Sequence, residues 1–203
     1  MEAFSLKDKI KRSLSAIRKE REPSDDDLVD AAVLLLLTRR ESEIHIILTR
    51  RSNNVATHKG EISLPGGICE PDDLNPLDTA LRETEEEIGV AKNLLEVLGE
   101  LSPVSTTTSY LIYPFVAWAE GPLNYRICPD ETEEIIEMPL RHILTPGVFE
   151  EEYWTVKGRK RKIYSIIYNG NVIWGATARI LKQFVDVCFG EDCGNDRHSR
   201  KEE

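Results

Sequence analysis

The stretch "NPLDTALRETEEEIG" from Asn75 to Gly89 carries helix-ending chemistry at both ends, so it fixes one element before any other is placed. Asn75 is a good N-cap, Pro76 suits the first helical position, and Asp78 sits in the positive first turn. Gly89 supplies the C-terminal stop. Between them Leu77, Ala80, Leu81, Thr84 and Ile88 recur at helical spacing and form a stripe that must face a core. With that stripe inward, Glu83, Glu86 and Glu87 project together from a neighbouring face while Glu85 points elsewhere.

Such crowding has a cost. Like charges three and four residues apart destabilise a helix by about 0.2–0.5 kcal/mol per pair. Arg82 reaches Asp78, Glu85 or Glu86 across one turn and offsets only part of the repulsion. A divalent cation would neutralise the rest, and Mg²⁺ in particular combines carboxylate and water oxygens with the phosphates of a substrate. Taken alone, a glutamate run is more often a solvated helix face. The preceding "EISLPGG" at 61–67 changes that balance, because it sets a glycine loop between a strand-like segment and the capped helix. Gly66 and Gly67 let backbone approach a ligand, and the Gly67 carbonyl is a candidate additional ligand for a hard cation.

Around this unit, "DAAVLLLLT" at 30–38 and "EIHIILTRR" at 43–51 read as paired strands joined by a short polar turn. Further strands are expected at Val97–Leu101, Leu111–Ala119, Glu134–Met138 and Lys162–Tyr168, and helices at 5–20, 76–88, 139–144 and 172–188. Strands and helices do not alternate strictly, which favours an α+β class over a doubly wound parallel sheet. The organisation expected is an N-terminal amphipathic helix and acidic loop over 1–27, one catalytic domain over 28–188, and a polar tail over 189–203.

The net charge of −10 argues against a nucleic-acid or anionic-membrane surface, though it leaves room for a local basic pocket binding one phosphorylated small molecule. "AAVLLLL" at 31–37 is far shorter than the roughly 20 residues that span a bilayer, and the N-terminus lacks the pattern of a secretory signal. A cytoplasmic location is the expectation. Cys69, Cys128, Cys188 and Cys193 are too irregular for a disulfide framework or a paired zinc site and read as reduced thiols. Oligomeric state is left open, a homodimer included.

"RETEEEIGV" at 82–90, following Gly67 and Asp73, resembles the second half of the Nudix hydrolase signature. Thr84 stands where the signature has an aliphatic residue. Asp73 stands where it has a glutamate, and eight residues instead of seven separate it from Arg82. "LPGG", the Asp-rich loop and "TALRE" resemble the coenzyme A diphosphatase branch of that family. So does "LTRRSNNVATHKGEISLPGG" at 48–67, which keeps Leu48, Thr49, Arg51, Ser52, Gly60, Pro65, Gly66 and Gly67 in register. Ala56 replaces an arginine and Leu64 a phenylalanine of that pattern. "VIWGATARILKQF" at 172–184 is similar to its closing helix.

The resemblance implies a Nudix fold, a mixed β-sheet sandwiched between α-helices, and hydrolysis of a nucleoside diphosphate linked to another moiety. In this branch coenzyme A would give 3′,5′-ADP and 4′-phosphopantetheine. The runner-up readings are the same chemistry on ADP-ribose or a dinucleotide, and a non-catalytic nucleotide-sensing module. The residues implied are Glu83, Glu86 and Glu87 as ligands for Mg²⁺ or Mn²⁺, with Arg82 orienting them, and Arg51, Ser52, His58, Gly66 and Gly67 against the substrate. The general base is Glu83 or an acid of "DETEEIIE" at 130–137, where Glu131, Glu133 and Glu134 read more simply as a solvated loop. Arg50, His58 and Lys59 are open between phosphate contacts and surface charges. Tyr153, Trp154 and Trp174 read as core rather than base-stacking residues, and "KGRKRK" at 157–162 as a hairpin turn with solvated ends.

Overall fold

The computed structural model describes residues 3–17, 28–53, 59–156 and 158–190. Its centre is strand β1 (Val29–Arg40), which runs parallel to β7 (Tyr110–Ala119) on one side. On its other side β1 pairs antiparallel with β2 (Glu43–Arg51) through its C-terminal half and with β4 (Gly66–Ile68) through its N-terminal half. Beyond β2 lie β3 (Ile62–Ser63) and β8 (Thr132–Pro139), and beyond β7 lie β5 (Glu96–Glu100) and β6 (Val104–Ser105).

The unpatterned leucine run of β1 follows from coverage of both faces. Leu34, Leu35, Leu36 and Leu37 are all fully buried. Leu34 and Leu36 pack with Ala80 and Ile88 of helix α2 (Pro76–Ile88). Leu35 and Leu37 face the opposite side, where α1 (Ala3–Ser15), α3 (Leu140–Leu144) and α4 (Gly175–Phe189) cover the sheet through Ile10, Leu14, Ile143, Leu181 and Phe184. The class is α+β, a mixed sheet between helices, as the segment pattern and the resemblance imply. Helix α1 is pinned by Ile10 and Leu14 and by an ion pair from Lys7 to Glu96 at 2.9 Å, while residues 18–27 lie outside the described set.

A second, three-stranded antiparallel sheet joins β9 (Glu150–Val156), β10 (Arg159–Tyr168) and β11 (Asn171–Trp174). It corrects the expected helix at 172–188, which begins only at Gly175 because residues 171–174 are taken into pairing with β10. Strand β9 gives no periodic signal, since six of its seven residues are exposed and neither face is uniformly apolar. Val156 pairs with Arg159, and Gly158 stands just before that pair's second strand at φ +75°, in keeping with a hairpin at "KGRKRK". Cys69, Cys128 and Cys188 are free thiols, and Cys193 lies outside the described residues.

Candidate active site

Helix α2 is seated by its caps. The Asn75 side chain accepts hydrogen bonds from the backbone N–H groups of Leu77 (2.9 Å) and Asp78 (3.2 Å), and Gly89 closes the helix in the left-handed region at φ +72°. Its buried face consists of Thr79, Ala80, Thr84, Glu87 and Ile88, with Leu77 and Leu81 only partly covered. The helix is therefore rolled toward its glutamates relative to the expected stripe. The reason is β4, whose glycines let the helix approach closely.

That approach is tight. A Cβ on Gly67 would lie 2.4 Å from the Glu83 carboxyl carbon, and one on Gly66, at φ +151°, would lie 2.2 Å from the Ala32 carbonyl oxygen. The double glycine is a seat for the Glu83 carboxylate against the sheet. Glu87, one turn on, is 3% exposed. A carboxylate oxygen from each of Glu83, Glu87 and Glu131 falls within 4.8 Å of the others. Glu131 arrives from the start of β8, where its carbonyl accepts the Ser52 N–H at 2.8 Å. Of the acids in that loop, Glu133 instead accepts from Asn53 (3.3 Å) and Glu134 pairs with Arg50 (3.0 Å). Sequence reasoning could not choose among the three, because the choice is made by the register of β8 on β2.

Glu86, half-exposed on the same turn, accepts from Arg82 Nη1 at 3.1 Å, and the same Nη1 donates to Glu83 at 2.9 Å. The main partner of Arg82 is more distant in sequence. Its Nε and second terminal nitrogen each donate to an Asp73 oxygen at 3.0 Å, a bidentate clamp. Asp73 also accepts from the Glu70 N–H (2.9 Å) and the Thr79 hydroxyl (2.8 Å). The departure from the signature spacing thus ends in an intact clamp, the longer loop delivering the shorter acid. Hydrogen bonding to the Arg82 guanidinium holds the Asp73 carboxyl far below the usual carboxylate range.

Burial has the reverse effect on the cluster. It pushes Glu87 up to about 8, against the opposing pull of Arg51, with the charges of Glu83 and Glu131 adding to the rise. Burial also raises Glu83. Arg51 Nη1 lies 3.9 Å from Glu87, and a register shift between Arg50 and Arg51 turns Arg51 toward the helix. Arg50 goes elsewhere, to Glu134 and to Asn171 at 2.9 Å. Ser52 is buried, Lys59 is exposed, and His58 and Ala56 lie outside the described residues.

Arg51, Gly66 and Gly67 border a cavity of about 790 Å³, walled on the far sheet by Trp154, Arg161, Ile163 and Trp174. Tyr153, Trp154 and Trp174 are 61%, 46% and 40% exposed, so the reading of all three as core residues is corrected. The side-chain arrangement fits a divalent cation on its own chemistry. Three carboxylates converge, a Cβ-free cradle lies beside them, and the buried Glu87 Oε2 has no hydrogen-bond partner among the described residues.

A glycine-cradled helix of carboxylates on a mixed sheet, its cradle bordering a cavity, presents the donor set that a divalent cation takes. The NUDIX domain model matches residues 28–157, and the chain belongs to the Nudix hydrolase family. It is 32% identical over 180 residues to the uncharacterized Nudix hydrolase NudL of Photorhabdus laumondii, covering 89% of this chain and 96% of that one. It is 33% identical over 153 residues to NudL of Escherichia coli K12, covering 75% and 79%. Among solved structures, a Nudix hydrolase of M. smegmatis, RenU, aligns with TM-score 0.49 and 21% identity over 57% of this chain and 73% of the other.

Proposed function

We propose that this Nudix hydrolase cleaves the diphosphate bond of coenzyme A or a close derivative, releasing 3′,5′-ADP and 4′-phosphopantetheine. The observation that carries the reading is the convergence of Glu83, Glu87 and Glu131 beside a glycine cradle that itself borders a cavity presenting Arg51. Glu83, Glu86 and Glu87 are assigned to hold Mg²⁺ or Mn²⁺, which supplies charge neutralisation for a diphosphate and lowers the pKa of water. Glu131, the exposed member of the cluster, is assigned to accept the proton of the attacking water. Arg82, anchored by Asp73, holds Glu83 and Glu86 in position.

Arg51, Ser52, His58, Gly66 and Gly67 are assigned to substrate. Arg51 faces the site with charge suited to a phosphate, whereas the buried Ser52 acts through the backbone that fixes Glu131. Leu64 is 2% exposed and packs in the core as it borders the cavity, so its replacement of a phenylalanine mainly changes packing. The test is a product assay with Mg²⁺ or Mn²⁺ on coenzyme A, ADP-ribose and NADH. Preferential release of 3′,5′-ADP from coenzyme A is expected. Preferential cleavage of either other compound would overturn the substrate, and no cleavage of any would overturn the activity.

A further inference from the structure

The second sheet carries a combination that the catalytic cluster does not use. Trp154 and Arg161 are directly opposed cross-strand partners, so both side chains leave the same face of the β9–β10 hairpin. Trp174 of β11 sits opposite Ser165, and Ser165 is four residues from Arg161 in β10, so Trp174 shares that face too. The two indole rings lie 6.1 Å apart at 38°. Arg161 Nη1 is 3.4 Å from the Ser105 hydroxyl of β6, which brings the face toward the main sheet across the cavity. Lysines 160 and 162 alternate to the opposite face, where both lie over Tyr153 and Lys162 pairs with Glu151 at 2.8 Å.

Two neighbouring tryptophans left more than a third exposed present a large apolar platform to solvent inside a concave site. Trp154 Nε1 donates to Glu152 at 2.9 Å, but the cavity wall gathers Arg51, Arg161 and Arg179 beside Glu61, so in a chain of net charge −10 it is a local basic patch that draws an anion in. Aromatic rings stack on any nucleobase through its π-face, and guanidinium binds phosphate in a planar, two-point manner.

We propose that Trp154, Trp174 and Arg161 form the nucleotide subsite of the cavity, the indoles stacking on the purine and Arg161 holding a phosphate carried on the ribose. This rests on the reading of the cavity as the site of a nucleoside diphosphate derivative. It makes the hairpin the element that selects a ribose phosphorylated beyond its diphosphate, while Arg51 and the carboxylates serve the bond that breaks.

The subsite is tested by binding, apart from turnover. Tryptophan fluorescence of the metal-free protein is titrated with adenosine 3′,5′-bisphosphate, AMP and 4′-phosphopantetheine; Trp118, 1% exposed, provides a buried reference. Both nucleotides are expected to quench, the bisphosphate binding more tightly. Trp154→Ala should weaken both about tenfold, with Trp154→Phe restoring most of it. Arg161→Gln should remove about tenfold from the bisphosphate alone. Quenching by 4′-phosphopantetheine in place of the nucleotides, or a bisphosphate preference unchanged in Arg161→Gln, would overturn the proposal. Loss of turnover on coenzyme A with nucleotide binding intact would instead defeat the proposed reaction and leave the subsite standing.

Discussion

Replacing Glu87 with glutamine should make the metal-free protein more stable at alkaline pH while removing its activity. Glu87 is 3% exposed, and burial raises its carboxyl from an ordinary 4.5 to about 8. The folded state therefore holds this proton more tightly than the unfolded chain does. The resulting stability is complete below about pH 4.5 and is lost as pH rises through 8. At about 1.36 kcal/mol per pH unit, the interval corresponds to roughly 3–5 kcal/mol lost by pH 9. Glutamine keeps an acceptor for the Gly66 N–H that faces this carboxyl and carries no charge to desolvate. For a domain of this size, 1 kcal/mol moves Tm by about 2–4 °C, so the variant should melt about 6–20 °C above the wild type at pH 9 in EDTA. Near pH 5 the two should nearly coincide. Adding Mn²⁺ should invert the order, because an ion that binds only the folded wild-type site stabilises it by mass action. Parallel Tm–pH curves for the two proteins in EDTA would refute the reasoning.

Binding of Mn²⁺ near pH 7 should release close to one proton from Glu87, read by calorimetry in buffers of differing ionisation enthalpy; no buffer dependence would count against it. Glu131→Gln should lower kcat at least about a hundredfold, and Glu86→Gln likewise, whereas Glu133→Gln should change it little because Glu133 is engaged with Asn53. Asp73→Asn should cost about 10- to 100-fold in activity with KM little changed, since it loosens the clamp that orients Arg82. Gly67→Ala should abolish metal-dependent turnover by displacing Glu83, measured as kcat with Mn²⁺ titrated to saturation.

The helix at 76–88, its two caps and the pairing of the strands at 30–38 and 43–51 were legible in the sequence because each depends on local rules: capping chemistry, periodicity and apolar runs joined by a short polar turn. The glycine–helix unit was equally legible, since its parts are close neighbours in the chain. What sequence could not place was anything that depends on pairing between distant strands. Asp73 was visible as a departure from a pattern, but its clamp on Arg82 required the loop to fold back. Glu131 was one of three equivalent acids until the register of β8 on β2 set it beside Glu83 and Glu87. Trp154 and Trp174 looked like core residues by composition, and only the edge position of the second sheet left them open to the cavity. Local sequence determined which elements form and which of them bears the carboxylates. Tertiary structure decided which side chains from separate elements share one site, because register and sheet packing are set by contacts far apart in the chain.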